Sequence, residues 1–161
     1  MNTAPSPIGA ALPHESAHLH VTGEAAYTDD LPEPAGTLHA APGLSSVAHG
    51  RIVSLDLAAV RSAPGVRAVI VAADIPGDNN CGAAVHDDPI LADGEVSFHG
   101  QPLFAVAADT RDQARHAARL AKVGIEALPA LLTVEDALAA GSHVLPPVEI
   151  SRGDVAAALA S

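Results

Sequence analysis

Four alanines, Ala114, Ala117, Ala118 and Ala121, recur at i, i+3, i+4 and i+7 directly behind the apolar run 103–108. On a helix of 3.6 residues per turn they share one face, and a face made only of methyl groups lets a flat partner come unusually close. Arg111, Arg115 and Arg119 fall outside that face. The spacing therefore predicts a helix lying on a sheet, with 103–108 as one of its strands. Thr110 and Gln113 stand three residues apart at the head of the helix, the spacing of a capping box that satisfies the first free amides.

Strand signals also occupy 37–44 and 51–57, where Ile52, Val53, Leu55 and Leu57 surround a half-buried alternation, with 45–50 as the loop between them. Asp56 is placed to cap a short helix that Pro64-Gly65 must end, since proline cannot donate and glycine accepts a left-handed turn. The nearly continuous apolar run 66–71 reads as an interior strand. The Gly-, Asn-, Asp- and Pro-rich stretch 74–93 reads as a long loop, a common place for a contact surface. A further strand is predicted at 122–126, and Thr133 and Asp136 open a last short helix closed by Gly141. Strands and helices alternate without a regular βαβ repeat, so the expected class is α+β, a mixed sheet carrying two or three short helices.

Size and charge narrow what such a fold can do. The 161 residues suit one domain, but Leu, Ile, Val and Phe supply only about a quarter of them and aromatics 2%, so the core is thin. With 8 Lys plus Arg against 19 Asp plus Glu, the surface repels phosphates, and nucleic acid is not an expected partner. The segment 1–13, with three prolines, reads as a flexible lead-in without a basic start or an apolar signal run. Cys81 has no partner for an internal disulfide, no window reaches the length of a membrane span, and a reducing cytoplasm is the expected setting.

Few residues invite chemistry. His14-Glu15-Ser16-Ala17-His18 satisfies the zinc-hydrolase pattern, in which two histidines one turn apart hold metal and the glutamate activates water. That reading needs a helix through all five residues, whereas Pro13 precedes them and Val21-Thr22-Gly23 closes the segment, so a coincidental match is preferred. From Val21 the run to Pro32 reads as a short extended piece closed by an acidic turn. Cys81 is expected to be inert without a neighbouring base. Asp29-Asp30 and Asp87-Asp88 are expected to cap turn amides, and His20, His39, His49, His86, His99, His116 and His143 are scattered without a second pair at metal spacing. In Arg152-Gly153-Asp154 the aspartate is a better helix cap than an adhesion determinant, and the helix that follows is too short to stand alone.

Several runs, in order and spacing, carry a resemblance: Val21-Thr22-Gly23-Glu24-Ala25, Tyr27-Thr28-Asp29-Asp30, Leu38-His39-Ala40-Ala41, Ala48-His49-Gly50-Arg51-Ile52, Pro64-Gly65-Val66, Asp74-Ile75-Pro76-Gly77, Gly100-Gln101-Pro102 and Leu128-Pro129-Ala130. From His14 onward the chain resembles the xanthine dehydrogenase and aldehyde oxidase family, at the amino-terminal part of its molybdenum-binding large subunit of bacterial type. The resemblance implies an α/β hammerhead domain over 14–145, with 146–161 leading toward a molybdopterin-binding region outside this chain. It implies an oxidoreductase of purines or aldehydes that hydroxylates at a molybdenum centre with a glutamate base. Electrons would leave through iron-sulfur clusters and FAD on a partner subunit or segment. No position here matches the family's catalytic or cofactor motifs, so the chain alone is expected to bind none of these groups and to be inactive. A free-standing interaction module is the remaining alternative. Gln101 is assigned a structural turn. Gly124, where the family more often has a bulkier or charged residue, is expected to weaken its strand.

Overall fold

The structure is a computed structural model that describes residues 8–150 and 152–160. They divide into two compact units between Thr37 and Leu38.

In the first unit, helix α1 (Ala17–Thr22) is stopped by Gly23, whose φ of 76° is the left-handed conformation that glycine adopts without a Cβ penalty. Val21 and Thr22 therefore belong to the helix, not to an extended piece. The acidic turn is a 3-10 turn, Thr28–Asp30, in which the Asp30 carboxylate accepts the Tyr27 N–H at 3.0 Å. The lead-in predicted at 1–13 lies partly outside the described residues.

The second unit holds six strands: β1 (His39–Leu44), β2 (Gly50–Asp56), β3 (Val66–Val71), β4 (Glu95–Val96), β5 (Pro102–Ala108) and β6 (Lys122–Ala127). They form two three-stranded sheets, β1-β5-β3 and β4-β2-β6, and every pairing is antiparallel. The α+β hammerhead class stands, while the mixed sheet expected from sequence is two antiparallel ones. Helix α2 (Ala58–Arg61) follows β2, with the Asp56 carboxylate accepting the Ala58 N–H at 3.0 Å.

Strand β5 is the centre of its sheet. Leu103, Phe104, Val106 and Ala108 are all essentially inaccessible, so its unbroken apolar run is covered on both faces. The similar run in β3 lies at an edge rather than in the interior. Its exposed Arg67 forms a two-pronged bond to Asp109, at 2.7 and 2.9 Å, and a charge of this kind suits a position where one side of the strand is open. Pro42 sits on the opposite edge strand, β1, where a missing N–H is tolerated.

Helix α3 (Arg111–Ala118) lies on the β1-β5-β3 sheet by its alanine face, with Ala114 and Ala117 fully buried. Its cap departs from the reciprocal pattern. The Thr110 hydroxyl accepts the Gln113 N–H at 3.2 Å and donates to the Gln113 side-chain oxygen at 3.1 Å, leaving the Thr110 backbone N–H out of the exchange. Helix α4 (Val134–Ala139) is capped by Thr133, and α5 (Val155–Leu159) by Asp154, whose carboxylate accepts the Ala157 N–H at 2.9 Å.

One apolar cluster draws on both sheets, with Val69, Val96, Leu103, Phe104 and Val106 joined by Leu57, Val60 and Ala117. In the second sheet the register shifts between Ile52 and Ser54, and Val53 is thrown outward, 62% exposed. Gly124 faces Ser54 across this bulge, and a Cβ there would collide with the Ser54 hydroxyl. Gly124 thus stands within β6, paired with Ser54 beside the bulge.

Candidate functional site

The zinc-like motif is not assembled by the fold. Helix α1 begins at Ala17, so His14 and Glu15 precede it and His14 and His18 are not successive ligands on one helical face. The His14 ring instead meets the His20 ring edge-on at 5.4 Å, and His20 Nδ1 lies 3.2 Å from the Tyr27 hydroxyl. Among the described residues, no three His, Cys, Asp or Glu side chains gather as a metal site.

The long loop is held by backbone mimicry. Asn79 donates to the Leu91 carbonyl at 2.7 Å and accepts the Leu91 N–H at 3.0 Å, clasping the two ends of the loop as a short antiparallel pair would. Within it the Cys81 N–H donates to the Asp88 carbonyl at 2.9 Å, and the exposed thiol lies 3.5 Å from the Asp88 carboxylate. That hydrogen bond raises the thiol pKa, with desolvation adding to the rise, so the environment disfavours the nucleophilic thiolate. His86 pairs with Asp78 at 3.3 Å.

Gln101 is 1% exposed, and its side-chain oxygen accepts the Ser97 N–H at 2.7 Å. It closes the turn that launches β5, the structural role its sequence position suggested. Among the described residues, no buried side-chain nitrogen or oxygen lacks a hydrogen-bond partner.

Sequence reasoning treated His49 as one scattered histidine among many, but the fold makes it a junction. Its Nδ1 lies 2.7 Å from the Pro129 carbonyl and its Nε2 3.2 Å from the Glu95 carboxylate. The Pro129 contact, followed by the Glu95 hydrogen bond, raises its pKa above the ordinary imidazole value. Next to it the Leu128 N–H donates to the His49 carbonyl at 3.0 Å. The only hint in the sequence was that His49 and Pro129 lie in runs carrying the family resemblance, 48–52 and 128–130.

The remaining notable surface is apolar. An open groove of about 720 Å³ runs along β2 and the segment after β3, lined by Ile52, Leu55, Leu57, Val71 and Leu103 among others. Beyond α4, Val144, Val148 and Ile150 are each at least 85% exposed. These exposed apolar side chains are features of a surface for packing, and the thiol–carboxylate contact of Cys81 with Asp88 raises the thiol pKa instead of activating it.

Residues 22–129 match the family described as aldehyde oxidase and xanthine dehydrogenase, a/b hammerhead domain. The chain is 45% identical over 135 residues to xanthine dehydrogenase of Oryza sativa subsp. japonica, a match covering 84% of this chain and 10% of that protein. It is 36% identical over 148 residues to xanthine dehydrogenase/oxidase of Mus musculus, covering 92% and 11%. Among solved structures, the aldehyde oxidoreductase from Desulfovibrio desulfuricans ATCC 27774 superposes with a TM-score of 0.73 at 32% identity, over 81% of this chain and 16% of that one. The chain thus spans about a tenth of the length of the curated relatives it matches. With the two antiparallel sheets and the alanine-faced helix in place, the chain belongs to the aldehyde oxidase and xanthine dehydrogenase family, as its α/β hammerhead domain.

Proposed function

We propose that this chain is the amino-terminal scaffold of a molybdenum hydroxylase large subunit, and that residues 14–145 form the hammerhead while 146–161 lead into a molybdopterin-binding region. The observation that carries this reading is the extent of the matches: nearly the whole chain aligns, yet it accounts for only 10–11% of the xanthine dehydrogenases. The chemistry of such an enzyme lies in the other nine-tenths. In the assembled enzyme the molybdenum centre would hydroxylate a purine or an aldehyde, and electrons would pass to iron-sulfur clusters and FAD on a partner subunit or segment. This chain's own residues contribute shape: a rigid pair of sheets and exposed apolar side chains that a neighbouring region would cover. The lone cysteine fits a cytoplasmic setting, and no helix among the described residues is long and apolar enough to cross a membrane.

The test is reconstitution. The chain is produced alone, and again together with a molybdopterin-binding region and an iron-sulfur/FAD subunit of a relative, and each preparation is supplied with molybdenum cofactor. Oxidation of hypoxanthine, xanthine and an aromatic aldehyde is then followed. Activity is expected only in the assembled preparation, and turnover by the isolated chain would overturn the scaffold reading.

A further inference from the structure

Both ring nitrogens of His49 face acceptors. Pro129 offers a carbonyl oxygen at 2.7 Å and Glu95 a carboxylate oxygen at 3.2 Å, and neither has a proton to give while Glu95 is ionised. A neutral imidazole carries a single N–H, so it satisfies one of these partners and turns a lone pair toward the other. The imidazolium satisfies both. We propose that His49 is a proton-operated latch: charged, it ties the corner after β6 to strand β4 across the start of β2, and neutral, it releases its Glu95 arm.

The geometry indicates which arm gives way. The Pro129 contact is the shorter, so the neutral ring keeps its proton on Nδ1 and presents the Nε2 lone pair to a carboxylate, which is repulsive. Strand β4 is the shortest member of its sheet, two residues registered to β2 through Gly50 with Val96 and Arg51 with Glu95, with the Ile52 N–H donating to the Gly94 carbonyl at 2.9 Å beside them. The Glu95 arm is therefore a side-chain reinforcement of the strand that most needs one. Other charged or titratable groups on the packed elements are Arg51 on β2 and Glu126 on β6, paired with each other at 2.9 Å, Asp56 and Lys122 at the far end of the same two strands, and His99, which shares with His49 an open cavity of about 520 Å³. Phe98 and Leu132 also line that cavity, so the latch forms part of its wall.

The raised pKa of His49 agrees in direction with this arrangement. Because the folded value lies above the unfolded one, the contribution is complete below the ordinary imidazole value of about 6.5 and is lost as pH rises through the raised value. The latch is closed on the acidic side and opens on the alkaline side.

The histidine ring nitrogens of the ¹⁵N-labelled 161-residue chain are followed by long-range correlation NMR from pH 5 to 9, with amide exchange over residues 95–97 measured across the same range and corrected for intrinsic rates. The expected result is a His49 midpoint above those of the other resolved histidines, both nitrogens protonated below it, and exchange rising several-fold through it. Glu95→Gln should lower the midpoint and abolish the exchange step. Because the Glu95 arm is then missing at every pH, exchange in Glu95→Gln should sit at the wild type's alkaline level throughout, and a step that persists in this variant would overturn the proposal. A wild-type His49 that titrates with the other histidines, or exchange that does not change across its titration, would overturn it without recourse to any variant.

Discussion

Gly43 and Phe104 provide a quantitative test of how the thin core is packed. They are partners across the β1–β5 pairing, and Phe104 is 1% exposed. A Cβ built on Gly43 would fall inside the Phe104 ring, yet Gly43 does not have a positive φ, so an alanine there meets a steric obstacle and no backbone strain. G43A alone should destabilise the chain by about 1–3 kcal/mol, the usual cost of overpacking a filled core. F104L removes three carbons from the ring's site, which at about 0.8 kcal/mol each comes to about 2 kcal/mol. Independent effects would sum to about 4 kcal/mol, but the space vacated by the ring admits the new methyl, so the double variant should lose only about 2–3 kcal/mol, a coupling of about 1–2 kcal/mol. The chain has no tryptophan, so urea unfolding is followed by far-ultraviolet circular dichroism, with equal m-values required of all four proteins. Additivity to within about 0.5 kcal/mol would refute the contact as the source of both effects.

Three further outcomes follow from the same packing. A117L drives a branched side chain into the fully buried seam between α3 and the sheet and should cost at least about 1–3 kcal/mol in urea unfolding, whereas leucine at the exposed Arg115 should be nearly neutral. N79A leaves the Leu91 N–H and carbonyl without their partners and should lower stability by about 2 kcal/mol or more, while N79D, which keeps the acceptor, should lose less when the unfolding midpoints are compared. Arg67 holds the Asp109 pKa below its ordinary value by hydrogen bonding, so this pair contributes above the unfolded carboxylate pKa of about 3.9 and is lost as pH falls through the lowered value. Unfolding midpoints measured from pH 2 to 6 should therefore fall more steeply for the wild type than for D109N, and parallel curves would dismiss the pair.

Much of the fold was readable before any coordinates, because the informative residues act locally. The Thr110 cap, the alanine face and the stop at Gly141 each depend on contacts within about a turn of helix, and all three are present, though α3 ends at Ala118 and leaves Ala121, the fourth alanine of the predicted face, outside it. Where reading failed, the deciding contact was remote. Strand β3 looked interior because its apolar run matches that of β5, but the partner that would have covered its second edge is absent among the described strands. The pairing of Gly124 with Ser54 beside the Val53 bulge joins positions about 70 residues apart, so the segment around Gly124 gives no sign of it. The zinc-like motif, read from the sequence as a coincidental match, has His14 and Glu15 outside a helix that starts at Ala17.

The amino-acid sequence by itself determined most of the elements beyond Thr37, their caps, the acidic surface and, through the order of its short motifs, the family. These follow from backbone sterics, side-chain period and charge, which act over a few residues at a time. Only the tertiary structure decided that the strands divide into two sheets, that β5 lies at a centre and β3 at an edge, and that His49 joins Glu95 and Pro129 across 46 and 80 residues of chain. Such choices rest on which distant surfaces exclude water from each other, and no local pattern encodes that selection. His49 illustrates the division: its ring chemistry is a property of the residue, and the two acceptors that make the proton matter are supplied by the fold.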